Sequence, residues 1–131
     1  MYYITLLHSN LRWVLVAVAL STILFYSLTS IRIIRYSRYI SAFSIAFAGL
    51  MDLQTVLGIT LLTIKTIDIG SGYIRSALSH VISMLLAVTT AHIAARWSKD
   101  PDKVIRTLIA TLLTLLFILS GIREITGTWL G

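Results

Sequence analysis

The chain has 131 residues, 57% of them hydrophobic and only 12% charged, with a formal net charge of +6. A mean hydropathy of +0.90 excludes an ordinary soluble domain, in which about a quarter of residues are charged. The sequence has no cysteine, which removes disulfides, thiolate-held metals, iron–sulfur clusters and thioether-attached haem.

A transmembrane helix needs about 20 mostly apolar residues to cross about 30 Å of hydrocarbon. Four such stretches occur, over 4–29, 40–64, 73–97 and 104–126. They use most of the chain, so the expected architecture is all-α, a single transmembrane four-helix domain over 1–131. The first stretch does not read as a signal peptide. Residues 1–10 contain no Lys or Arg, and the basic cluster Arg32, Arg35 and Arg38 follows the apolar run instead of preceding it.

Lys and Arg separate by side. Arg32, Arg35, Arg38, Arg96, Lys99, Lys103 and Arg106 flank the first and third connections, against Arg12, Lys65, Arg75 and Arg123 at the other end. The excess predicts a multi-pass plasma-membrane protein with both termini outside. The positive charge then reflects topology, and nucleic-acid binding is not expected because it needs an exposed basic surface. Tyr2, Tyr3, Trp13, Tyr73 and Trp129 on one side, and Tyr36, Tyr39 and Trp97 on the other, fit interfacial belts. Gly70-Ser71-Gly72 and the segment around Pro101 read as turns. Short connections predict antiparallel neighbours in an up-down-up-down bundle.

Ionisable residues inside membrane spans are costly and usually functional. The candidates well inside the spans are His8, Asp52, His80 and His92. At 1.5 Å per residue, His8 and His80 lie about 6 Å and about 10 Å below the outer starts of the first and third helices. Those helices are diagonal in the expected bundle, so the two imidazoles would face each other across its core. That spacing suits a six-coordinate haem with one axial histidine from each side. The face of helix three that carries His80 (Ser76, His80, Ser83, Ala87, Ala91 and Ala94) and a matching face of helix two (Ser41, Ser44, Ala48, Asp52 and Thr55) are made mostly of small residues and would leave room for it. The same stripes also serve ordinary close packing of membrane helices. Arg12, one turn from His8, and Arg75 are expected to hold the propionates, with Lys65 nearby; simple snorkelling is the bland alternative.

His92 is about 18 Å and about 120° from His80 on an ideal helix. It is read as a ligand to a second haem, a quinone contact, or a hydrogen-bonding partner of a neighbouring helix. Asp52 is read as a proton relay or quinone contact, or as a protonated carboxyl bonded to a nearby hydroxyl. Met51 and Met84 are read as packing residues, with a thioether ligand at Met84 left open.

The segment Leu7-His8-Ser9-Asn10-Leu11-Arg12-Trp13 resembles the Leu-His-Ser-His-Leu-Arg-Trp opening of small bacterial four-helix membrane proteins described as cytochrome b-like. Asp52-Leu53-Gln54 through Gly58, and the helix carrying His80 and His92, follow the same plan. The chain departs from it at Asn10 and Asp52, where members often carry histidine, which weakens the case for a second haem. A fainter similarity, carried by Leu53 to Gly58 and by His80 after the outer turn, is to one half of haem A synthase. The synthase family's Glu-x-x-x-His signature and outer cysteines are missing here.

The expected function is a haem b-binding cytochrome carrying electrons between membrane quinol and an acceptor on the outer side. One haem b is expected, two at most, with quinone as a second small molecule. The alternatives are a quinol-dependent oxidoreductase or haem A synthase-like enzyme, and a non-haem metal- or proton-translocating bundle or small complex subunit. A translocating bundle of four helices would need a homo-oligomer.

Overall fold

In the computed structural model, residues 1–128 are described; Trp129, assigned above to an interfacial belt, lies outside them. The chain forms α1 (Tyr2–Ser30), α2 (Arg38–Ile69), α3 (Gly72–Trp97) and α4 (Val104–Thr126), with a 3₁₀ turn at Pro101–Lys103 before α4. No strand is present among the described residues. All four helices are long and apolar enough to cross a membrane, so this is an all-α, multi-pass membrane bundle.

α2 runs past the apolar stretch that marks it in the sequence, through Lys65 and Asp68 to Ile69. Helical hydrogen bonding needs no hydrocarbon around it, so the helix continues where the hydropathy falls. It stops at Gly70, whose φ of 103° lies in a region that favours glycine. α4 stops the same way at Gly127, φ 77°, whose N–H donates to the Arg123 carbonyl. At Pro101 the Asp100 carboxylate accepts from the Asp102 N–H and lies 3.0 Å from the Lys103 ammonium. These two partners, Lys103 first, hold the Asp100 carboxyl below its usual range.

α1 packs on α2 and α4, and α3 packs on α2 and α4. α1 and α3 are therefore diagonal, as short connections require. Leu20, Leu24, Val56, Ile59, Leu113 and Leu116 face outward, an arrangement suited to lipid. The interior combines large apolar side chains, among them Leu15, Phe47, Met51 and Ile118, with small and hydroxyl-bearing ones. Ala87, Ala91 and Ala94 of α3 are buried, as are Thr107, Thr111 and Thr114 of α4. Hydrocarbon gives apolar helices no drive to associate, so close approach and hydroxyl bonds hold such bundles. Thr114 donates to Thr90 at 2.8 Å. At the end opposite the termini, the Ser41 and Ser98 hydroxyls lie 3.0 Å apart, and the Tyr36 hydroxyl donates to the Ser98 carbonyl at 2.7 Å.

The two small-residue stripes need adjustment. On α3, Ser76 is exposed and Ala77 takes its place in the interior. On α2, Ser41, Ser44 and Ala48 are buried, but the buried row continues through Met51 and Gln54, and Asp52 is exposed. From Ala48 the buried row steps by three to Met51 and by three again to Gln54; Asp52 follows Met51 by about 100° around the helix axis and falls outside that row.

Candidate functional site

A cavity of about 210 Å³ lies in the half of the bundle that carries the termini, and all four helices line it. It is larger than the cavity of about 150 Å³ that suffices to hold a benzene ring. His8 on α1 and His80 on α3 both belong to its wall. The diagonal pair identified in the sequence thus meets a single space.

Each imidazole rests on a glycine of the helix that follows it. A Cβ at Gly58 of α2 would stand 3.3 Å from Cε1 of His8. A Cβ at Gly121 of α4 would stand 3.3 Å from Nδ1 of His80 and 2.9 Å from Cε of Met84. Neither glycine is a turn. Each lies within its helix, where glycine costs about 1 kcal/mol relative to alanine, and close approach by a ring is the physical reason for it.

The two rings are held differently. Nδ1 of His80 lies 2.8 Å from the Gly121 carbonyl, which can only accept, so the ring nitrogen carries the proton. That bond fixes the tautomer and leaves Nε2 with a free lone pair, the form that binds a metal. His8 is held through its backbone: Gln54 of α2 donates from Nε2 to the His8 carbonyl at 3.0 Å. The same amide nitrogen lies 3.5 Å from His8 Nε2, beyond good hydrogen-bond length. Nδ1 of His8 is buried with no partner among the described residues.

Cations without carboxylates complete the wall. Arg12 lines the cavity with its Nε buried and unpartnered, and its guanidinium carbon lies 5.3 Å from the Trp13 ring centroid. Lys65 also lines it, its ammonium 5.4 Å from the Tyr73 ring centroid. Neither cation makes an ion pair among the described residues. Such groups attract an anion strongly where water is scarce. Arg75 is exposed and outside the lining, so Lys65 stands where Arg75 was expected. Met84 and Met51 both line the cavity, with Met84 against Gly121.

His92 and Asp52 are elsewhere. They bond to each other across α2 and α3, Nε2 to Oδ1 at 2.8 Å, and each side chain is 54% exposed. The interior position expected for both is corrected to the outer surface of the bundle. Among the described residues, no three His, Cys, Asp or Glu side chains converge as a metal site.

Gln54, Gly58 and Gly121 are the site residues that residue chemistry alone did not single out. Gln54 carried a usable signal, since a buried amide in a membrane span must find partners. A Gln54→Leu variant is expected to lose about 1–3 kcal/mol of stability, because it removes the donor to the His8 carbonyl. Thermal denaturation of the detergent-solubilised protein, followed by circular dichroism, checks this. No family model, curated protein or solved structure matches the chain.

Proposed function

We propose that the bundle is a haem b-binding membrane cytochrome carrying electrons between membrane quinol and an acceptor on the side of the termini, and that this side is the outside, a reading the excess of Lys and Arg at the other end supports. The observation that carries this reading is the His8–His80 pair. Two imidazoles on diagonal helices line one cavity, and His80 has its Nδ1–H committed to Gly121 so that Nε2 is free. The resemblance of the Leu7 to Trp13 segment to cytochrome b-like proteins supports the same assignment.

The residues fit the group. His8 and His80 would supply the axial nitrogens, Arg12 and Lys65 would neutralise the propionates, and Gly58 and Gly121 would leave clearance beside the rings. The cavity is below the range of about 300–1,000 Å³ usual for larger ligands. Met84, unbranched and flexible, lines it, and haem entry would need such a side chain to give way. Bound haem supplies a one-electron couple at its iron. The protein orients the imidazoles, keeps water from the site with its apolar walls, and places two cations against negative charge. With His8 and His80 both holding the iron, electron transfer would be favoured over chemistry that needs an open iron site.

The absorption spectrum of protein purified after expression with haem supplied tests the proposal. A Soret band is expected in the wild type and is expected to vanish in a His8→Ala, His80→Ala double variant that retains its helical circular dichroism. A colourless wild type, or a band unchanged in the double variant, would overturn it.

A further inference from the structure

At one depth α2 presents two unlike faces. Met51, Gln54 and Thr55 line the cavity, while Asp52, between them in sequence, faces outward and pairs with His92. Asp52 stands 14 residues from the start of α2 and 17 from its end, about 21 Å and about 26 Å along the helix. A carboxylate on so short a stem cannot reach either interface by snorkelling. An ionisable pair half open to hydrocarbon is costly and points to a partner that meets it there.

The chemistry of the partner follows from the atoms left over. With His92 donating from Nε2 to the Asp52 carboxylate, Asp52 Oδ2 and His92 Nδ1 remain, and both are acceptors. A hydroxyl donor satisfies them. Its depth rules out lipid headgroups, which stay at the interface. Beside the carboxylate lies Gly49, three residues earlier and on the same side of α2. It is exposed, and a Cβ there would meet nothing within 4 Å. This leaves a flat shelf on which a ring can lie next to Asp52.

We propose that Asp52 and His92, with the shelf at Gly49, form the docking site for the headgroup of a lipid-soluble quinol that enters from the hydrocarbon between α2 and α3. The quinol hydroxyl donates to Asp52 Oδ2 or His92 Nδ1, and the ring lies over Gly49. Only the width of α2 then separates the headgroup from the cavity wall at Met51 and Gln54, a helix being about 10 Å across. The proposal rests on the reading that membrane quinol is the electron donor, but the site itself contains no haem ligand.

The test is therefore made on haem-free protein in lipid nanodiscs, by calorimetric titration with a short-tailed benzoquinol kept reduced. Saturable binding is expected, with the oxidised quinone binding more weakly because it has no hydroxyl to donate. Asp52→Asn turns the Oδ2 acceptor into a donor and is expected to weaken quinol binding about tenfold or more, the effect of one charge-assisted hydrogen bond. Gly49→Leu fills the shelf without touching the Asp52–His92 bond, and a similar loss is expected at unchanged helicity. No saturable binding to the wild type, equal binding by all three proteins, or tighter binding of the oxidised form would overturn the proposal. So would failure of quinol to bind together with a dimer that Asp52→Asn dissociates, which assigns the pair to contact between two copies. A colourless holoprotein preparation defeats the haem reading alone, and the titration is decided without it.

Discussion

If the cavity holds haem as proposed, a Gly121→Leu variant is expected to bind almost none and to denature more readily than the wild type. The Cβ alone would stand 2.9 Å from Met84 Cε, 3.3 Å from His80 Nδ1 and 3.6 Å from Ser83 Cβ. The Met84 terminus is flexible and can yield. The His80 ring cannot yield as easily, because its Nδ1 is bonded at 2.8 Å to the carbonyl of the same glycine. The remaining atoms of leucine must then either displace the imidazole or occupy the cavity. Overpacking of this kind costs about 1–3 kcal/mol, and here it also breaks the bond that sets the His80 tautomer. Gly58→Ala is expected to be milder, since its Cβ meets only the His8 ring, at 3.3 Å and 3.9 Å, and no hydrogen bond to that ring is lost. Haem content per protein and melting temperature for the two variants check the order. Equal haem content in Gly121→Leu and wild type would place the haem elsewhere.

The second large effect belongs to the cations. Arg12→Gln is expected to weaken haem binding by tenfold or more, since a hydrogen bond between charged groups contributes about 1.5–3 kcal/mol and tenfold is about 1.4 kcal/mol. Its Nε is buried and unpartnered while the rest of the wall is mostly apolar, so a carboxylate placed there meets a donor with no competing bond. Lys65→Gln is expected to have a smaller effect, because an ammonium lacks the planar fork that matches a carboxylate. Arg75→Gln is expected to change nothing, as Arg75 is exposed and does not line the cavity. Haem titration of the apoprotein measures all three. A loss at Arg75 without a loss at Arg12 would move the anion site out of the cavity.

The four helices and their ring order were legible because length, hydropathy and short connections are enough to define an up-down-up-down bundle. Their ends were less so. α2 continues through Lys65, Thr66 and Asp68, since a helix persists on backbone bonds after the hydrophobic signal ends. The diagonal placement of His8 and His80 could be argued from topology and depth. Facing was the harder matter. In a membrane bundle hydropathy does not separate inside from outside, because both lipid-facing and interior positions tolerate apolar residues. Asp52 therefore looked like an interior group, while a phase difference of one residue puts Met51 and Gln54 inside and Asp52 out. Gly58 and Gly121 were equally opaque. Their meaning lies in which ring comes within 3.3 Å of them, and only the packed helices carry that information.

The proposed function places one haem in one cavity, between His8 and His80. Pyridine haemochrome analysis of the purified protein, set against its protein concentration, tests this most directly. The expected result is a haem b spectrum at one haem per chain. A ratio near zero, or two haems per chain, would contradict the account.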